Sequence, residues 1–215
     1  MAIIYQLHPK NPQPYQVAQI REALQQGAVI LYPTDTVYAI GCDLNARSAV
    51  ERVRRIKQMA NDKPLTFLCP SLSNIATYAQ VTDPAYRLIK HLIPGPYTFL
   101  LPATKLVPKL VRNPKRKTTG IRVPDHPICQ ALLQALNNPI ISTSAPTVLH
   151  AEQAWLSAPE LFAGLDKVVD VIIDDQLPVG HRVSTIIDLT TEEPVVLRKG
   201  LGWEAVADLE LAEVY

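Results

Sequence analysis

Hydroxyl side chains gather where apolar runs stop in this chain. "NPIISTSAPT" takes two isoleucines into Ser142, Thr143 and Ser144 and is broken at Pro146. "AVILYPTDTVY" ends its apolar run in Thr34, Asp35 and Thr36. "KTTGIRVPDHP" leads from Thr118 and Thr119 into Arg122, "HRVSTIIDL" enters an apolar run through Ser184 and Thr185, and "PVVLRKG" leaves one through Arg198 and Lys199. Hydroxyls that donate and accept, with guanidinium groups that donate in a fork, suit an anionic, hydrogen-bonding ligand such as a nucleotide. In open α/β sheets such ligands bind at strand ends, where loops converge. Each segment also has a plainer reading, because Ser and Thr commonly cap a helix or close a turn. Arg122, in an apolar run, needs a partner, and a structural carboxylate would serve as well as a ligand. The recurrence over five segments is what favours the ligand.

Other chemistries find little support. There is no GxxxxGK[ST] and no GxGxxG, so neither common phosphate loop is present. The five histidines form no HxxxH or HExxH pattern, so no metal site held by the protein is expected. Ser144, His126 and Asp125 can be written as a triad, but nothing in the spacing supports the geometry. Cys69 follows an apolar run and reads as packing. Basic residues concentrate in two places. Arg47, Arg52, Arg54, Arg55 and Lys57 load one predicted helix, and Lys105, Lys109, Arg112, Lys115, Arg116 and Lys117 load a segment almost without acids. Such runs are ordinarily solvated faces; the functional reading is an electrostatic footprint for polyphosphate or RNA.

Alternating elements must position these groups. "IIYQL" reads as a strand. "PYQVAQIREALQQG" reads as a helix with Val17, Ile20 and Leu24 inward and Gly27 at its C′ position. "AVILYP" and "PLTFLCP" read as strands, and "ARSAVERVRRIKQMA" as a helix with Ala49/Val50, Val53 and Ile56 inward and its arginines mostly outward. "DPAYRLIKHLIPG" is a helix with Asp83 as N-cap and Pro84 at N1. "YTFLLPA" and "TGIRVP" are strands, and "HPICQALLQALNN" is an apolar helix. "VVDVIID", "VSTIIDLT" and "PVVLRKG" are late strands, and "WEAVADLELAEVY" holds a short terminal helix. Early alternation with late strands predicts an α/β (α+β) fold around one twisted, mixed sheet. No boundary or linker stands out, so residues 1–215 are read as one domain.

With 47% hydrophobic and 19% charged residues, the 215-residue chain can form a core, which excludes a disordered polymer. A formal net charge of +1 does not by itself call for nucleic acid or a membrane. The three cysteines, Cys42, Cys69 and Cys129, are widely spaced, as expected of a reduced compartment. The N-terminal stretch lacks the pattern of a signal peptide, and no apolar run is long enough to span a bilayer, so a cytoplasmic protein is expected.

Taken together and in order, "VILYPTDTVYAIGCD", "RIKQMANDKPL", "PGPYTFLLPAT", "TTGIRVPDHPICQALL", "IISTSAPT", "VDVIIDD", "STIIDL" and "VVLRKG" resemble the YrdC-like domain family. The resemblance runs from about Pro9 to Gly200, and details such as "HPKNPQPYQ" and "KRKTTGIRVP" are most similar to its YciO branch. It implies a twisted α/β sheet with a large concave, positively charged cavity. It also implies an activity: the family's synthases condense L-threonine, bicarbonate and ATP, with its Mg²⁺, into threonylcarbamoyl-AMP and diphosphate for tRNA modification. Members are also described as binding double-stranded RNA. Carried over by motif, Thr34 or Thr36, Thr143 and Ser184 contact substrate. Lys57, Thr118, Ser144 and Arg198 contact the nucleotide. Lys57 and Arg122 are the catalytic pair, with Arg122 on the threonine carboxylate, while Lys115, Arg116 and Lys117 would face RNA.

Two motif positions depart. Synthases of the family read Lys-x-Arg and Ser-x-Asn; this chain has Met59 after Lys57 and Pro146 after Ser144. Met59 cannot donate to a phosphate, and Pro146 has neither a side-chain amide nor a backbone N–H. Loss of one such donor to developing charge costs roughly 2–4 kcal/mol of transition-state stabilisation. The alternative is therefore a nucleotide- or double-stranded-RNA-binding protein with weak synthase activity, or one that hydrolyses threonylcarbamoyl-AMP.

Overall fold

The computed structural model describes residues 1–56, 65–113, 115–145, 156–207 and 212–213. In chain order the elements are β1 (Ile3–Gln6), α1 (Pro14–Gln25), β2 (Ile30–Tyr32), β3 (Ala39–Asp43), α2 (Arg47–Ile56), β4 (Thr66–Leu68), α3 (Leu72–Tyr78) and α4 (Asp83–Leu92). There follow β5 (Tyr97–Pro102), β6 (Thr118–Arg122), α5 (Pro127–Leu136), β7 (Ile140–Ser144), α6 (Ala158–Leu165), β8 (Val171–Asp174), β9 (Thr185–Asp188), β10 (Val195–Arg198), α7 (Trp203–Ala207) and β11 (Ala212–Glu213). This is the mixed α/β architecture the sequence predicts.

The chain divides into two compact units, each drawn from two stretches: Met1–Met59 with His126–His181, and Ala60–Asp125 with Arg182–Tyr215. Because the stretches alternate, no single cut separates the units, and the sequence carries no linker signal between them. In the first unit β1 and β2 both run parallel to β8, while β3 runs antiparallel to β2 and to β7. Helix α1 packs on α5, and α2 on β3 and β7. In the second unit β6 is parallel to β4 and antiparallel to β5, and β9 is parallel to β5 and antiparallel to β10.

Local signals explain most elements. Helix α1 buries Val17, Ile20 and Leu24. It ends in a Schellman closure: the Gly27 N–H donates to the Leu24 carbonyl and the Ala28 N–H to the Ala23 carbonyl, each at 2.9 Å. Gly27 sits at φ +92°, where a side chain would be strained. Helix α4 is capped one residue earlier than expected: Thr82 is the N-cap, its hydroxyl accepting from the Ala85 N–H, and Asp83 stands in the first turn. Its hydroxyl turns back on the helix as Asp83 would have done, while Asp83 still faces the positive helix end.

One reading of α2 is corrected. Arg54 is 7% exposed, and burial lowers its pKa. It lies four residues after Val50 and one after Val53, which puts it on the buried stripe whatever its polarity. Arg52, half-buried, holds Asp170 at 2.6 Å and the Val168 carbonyl at 2.8 Å. Two helices escape the sequence reading. Helix α3 buries only Ile75. Helix α6 starts at a capping box, in which the Glu160 carboxylate accepts from the Ser157 N–H and hydroxyl at 2.8 and 2.7 Å. Among the described residues no helix is long and apolar enough to cross a membrane.

Candidate functional site

The first unit gathers its polar strand ends around the turn between β2 and β3. Pro33 ends β2, and the chain turns through Thr34, Asp35 and Thr36 before β3 begins. The Thr34 hydroxyl donates to the Val37 carbonyl at 2.7 Å and accepts from the Thr36 N–H at 3.1 Å, and the two threonine hydroxyls lie 3.0 Å apart. The turn is thus built on its own hydroxyls. Thr36 is buried and Thr34 half-buried. The end of β7 lies beside it in the same sheet, with Thr143 opposite Ile40 and Ser144 opposite Ala39. The Ala145 N–H donates to the Tyr38 carbonyl at 2.9 Å.

Alternation along β7 separates the hydroxyl run. Ser142 and Ser144 point to one face and Thr143 to the other. Ser142 accepts a 2.6 Å hydrogen bond from the Tyr32 hydroxyl, with both residues buried. Gly41 makes that bond possible, since a Cβ there would come within 3.0 Å of the Tyr32 ring and 2.7 Å of Ile140. Ser142 is therefore a packing residue, while Thr143 and the half-buried Ser144 stand nearest the turn.

A second polar cluster borders the turn. The Tyr38 hydroxyl donates to Asp175 at 3.0 Å, and His126 Nε2 lies 3.5 Å from the other Asp175 oxygen. The backbone N–H of Leu177 also donates to that carboxylate, at 3.2 Å. Burial alone would push the Asp175 carboxyl up. The hydrogen bonds from His126, Leu177 and Tyr38, with the His126 charge, hold it below the ordinary carboxylate value. Burial and the Asp175 charge push the Tyr38 phenol up, so it stays a donor. The carboxylate beside His126 is thus Asp175, whereas Asp125, the acid of the Ser144–His126–Asp125 triad, is exposed. The three cysteines are free and buried, and burial pushes the thiols of Cys42 and Cys69 up to about 12, the Asp43 charge adding to the shift at Cys42. Neither is a ready nucleophile.

The second unit assembles a hydroxyl row that crosses several strands. Thr98 of β5 and Ser184, just before β9, have hydroxyls 2.9 Å apart. Arg198 at the end of β10 donates through Nε to the Ser184 carbonyl at 3.0 Å and through Nη2 to the Ser184 hydroxyl at 3.1 Å. On β6, a Cβ on Gly120 would stand 3.5 Å from the side chains of Thr66, Thr98 and Leu100, so these share its face. Thr118 and Arg122 lie on that face too, two residues to either side of Gly120. At about 3.3 Å per residue they stand roughly 13 Å apart, so they serve different parts of any ligand. Both are buried, Arg122 at 7% exposed, whereas Arg198 is exposed. Lys199 lies over the Trp203 ring, 4.2 Å from its centroid. Gly200 closes this corner, because a Cβ there would come within 2.3 Å of the Val183 carbonyl.

The structure thus joins Thr34 with Thr36, and Ser184 with Arg198, by direct hydrogen bonds. Thr143 and Ser144 lie near the first pair by strand register. Thr118 and Arg122 occupy opposite ends of β6. Lys115, Arg116 and Lys117 are exposed ahead of β6, and the Asn113 side chain accepts from the backbone of Lys115 and Arg116 at 2.9 Å. Lys57, with Met59 and Pro146, lies outside the described residues. Thr66 and Thr98 were missed in the sequence, where single hydroxyls sit inside apolar runs; the period of two in "YTFLLP" was the only available signal. Among the described residues no three His, Cys, Asp or Glu side chains come together as a metal site.

A family model for Sua5, YciO and YrdC proteins, described as telomere recombination, matches residues 22–200. YciO of Escherichia coli K12 is 43% identical over 203 residues, covering 94% of this chain and 97% of that protein. A threonylcarbamoyl-AMP synthase of Vibrio vulnificus is 33% identical over 185 residues, covering 85% and 97%. The crystal structure of E. coli YciO superposes with a TM-score of 0.87 at 42% identity, covering 94% and 97% of the two chains. P. abyssi Sua5 complexed with L-threonine superposes at 0.86 with 26% identity, covering 99% of this chain and 63% of that one.

Proposed function

The chain belongs to the Sua5/YciO/YrdC family, and from that premise we propose that it acts on threonylcarbamoyl-AMP, binding L-threonine and an adenine nucleotide. The hydroxyl turn of Thr34 and Thr36, with Thr143 near it, takes the amino acid. Thr118, Ser144 and Arg198 take the nucleotide; Ser184, a substrate contact by motif, is reassigned to the nucleotide because its hydroxyl accepts from Arg198. Lys57 neutralises phosphate charge, and Arg122 pairs with the threonine carboxylate. The observation that carries this reading is the bonded pair of Ser184 and Arg198, a hydroxyl and an exposed guanidinium fixed together at a strand end. The likeness to the Vibrio synthase and to the threonine complex of Sua5 supports it.

In synthesis the amine of threonine captures bicarbonate with loss of water, the resulting carbamate attacks the α-phosphate of ATP, and diphosphate is the leaving group; Mg²⁺ brought by the ATP would offset phosphate charge. The protein's part is alignment and charge neutralisation rather than proton transfer. Met59 and Pro146 remove two donors of the synthase motif, so forward synthesis is slow and hydrolysis of the adenylate competes with it. Two assays test the proposal. Diphosphate release is measured with L-threonine, bicarbonate and MgATP, and decay of preformed threonylcarbamoyl-AMP is followed separately. Turnover in either that is lost in Arg122→Ala supports the reading. No turnover, together with no saturable binding of AMP or L-threonine by calorimetry, ends it.

A second reading rests on the exposed run Lys115, Arg116 and Lys117. A double-stranded RNA held there would lose affinity steeply with salt. Neutralising all three would flatten the log–log salt slope by about 3, at roughly 0.9 per phosphate contact.

A further inference from the structure

The turn that carries Thr34 and Thr36 is held from outside at three points. Its first carbonyl, on Pro33, lies 3.2 Å from the Cys129 thiol of α5. Its far end is tied through the Tyr38 hydroxyl to Asp175 at 3.0 Å. Between them the backbone of Gly180 presses on the turn so closely that a Cβ at Gly180 would stand 1.7 Å from the Thr36 carbonyl oxygen and 2.9 Å from its carbon. No φ in the left-handed region demands glycine at 180; close approach alone does. Asp175 and Gly180 belong to one short loop after β8, so a single segment grips the turn at its middle and its end.

We propose that Gly180 is a positioning residue for amino-acid binding: by seating on the Thr36 carbonyl it sets where the Thr34 and Thr36 hydroxyls stand, and Asp175 holds the same turn through Tyr38. This rests on the assignment of that turn to L-threonine above. A ligand as small as an amino acid is read by few hydrogen bonds, so a displacement of about 1 Å in their donors has large consequences. The contact is with backbone, which cannot swing aside as a side-chain tip can. An added methyl at 180 must therefore move the turn or the loop.

The test is Gly180→Ala, with Tyr38→Phe as a second variant that removes one hydroxyl and no volume. L-threonine and AMP are titrated separately by calorimetry, and amide hydrogen exchange is followed at Thr36, Val37 and Tyr38. The expected result for Gly180→Ala is a loss of L-threonine affinity of about tenfold or more with AMP affinity within twofold, and faster exchange at the three amides. Tyr38→Phe shows the same pattern more weakly. Equal losses for both ligands would make the glycine a general packing residue and overturn the proposal. Unchanged exchange at the three amides overturns it as well, whether or not the wild-type protein binds L-threonine. If the wild type binds no L-threonine while the amides respond as expected, it is the assignment of the turn to that ligand that fails. If Gly180→Ala does not fold, the exchange pattern in Tyr38→Phe decides.

Discussion

The two units bring hydroxyls to strand ends in different ways. In the first, Thr34 is bonded to Val37 and Thr36, Ser142 to Tyr32, and the turn is gripped by Asp175 and Gly180. In the second, Thr98 and Ser184 form a bonded row that ends in an exposed arginine. The first arrangement fixes positions and brings little charge; the second anchors a charge and leaves it at the surface. A rigid hydroxyl turn discriminates by shape, whereas an anchored guanidinium attracts phosphate through a planar fork. The contrast teaches that hydroxyls of similar appearance in the sequence do different work according to what holds them.

Substitutions can break that contrast. The largest effect is expected from Arg122→Ala, which removes the buried guanidinium of β6: turnover of threonylcarbamoyl-AMP, or diphosphate release, falls by at least about 100-fold. Arg122→Lys should restore little of it, because an ammonium is a point charge without the fork. A variant retaining more than a third of wild-type turnover would remove Arg122 from the chemistry.

Tyr32→Phe comes next and tests whether the first unit spends Ser142 on packing alone. It deprives the buried Ser142 hydroxyl of its 2.6 Å donor, at a cost of about 1–3 kcal/mol in urea unfolding. Both ligand affinities should stay unchanged; a selective loss of either would turn a packing pair into a binding one.

Ser184→Ala sharpens the other side of the comparison. It removes the hydroxyl that bonds Thr98 and one nitrogen of Arg198, leaving the carbonyl anchor. AMP affinity should weaken about threefold to tenfold, as expected for one hydrogen bond, with L-threonine affinity constant.

The smallest effect concerns pH. The Asp175 pKa is lower folded than unfolded, so its contribution to stability is present above the unfolded carboxylate value, about 3.9, and is lost as pH falls through the folded value. Asp43 is shifted the other way: burial raises it, partly offset by the Asn45 N–H, so protonating it on acidification relieves a cost. Asp175→Asn should therefore flatten the loss of stability in acid, read from thermal midpoints between about pH 5 and pH 2, and Asp43→Asn should steepen it. Identical slopes in both variants would show that neither carboxyl governs the acid limb.

Much of the scaffold was legible because its signals are local. The inward spacing of Val17, Ile20 and Leu24 and the closure at Gly27 are readable within a few residues. A proline after β2 and prolines on both sides of β4 mark those two strands. What failed was also local in cause. The charge of Arg54 suggests an outward face, but its angle on the helix turns it inward. Helix α3, with one buried residue, carried almost no periodic signal. At the candidate site, Ser184 and Arg198 were named separately, and the structure joins them. Thr98, which completes the row, has no sequence signal beyond a single hydroxyl in an apolar strand.

By itself the sequence determined the mixed α/β architecture, the family, and the residue types at each strand end, since periodicity, punctuation and motif order are properties of neighbours along the chain. Only the tertiary structure decided which hydroxyls meet. Tyr32 reaches Ser142 over Gly41, Gly180 seats on Thr36, and Asp175 rather than Asp125 faces His126. The physical reason is that these contacts join residues far apart in the chain. Strand register and a few tenths of an ångström of backbone clearance set them, and neither is written in any local pattern.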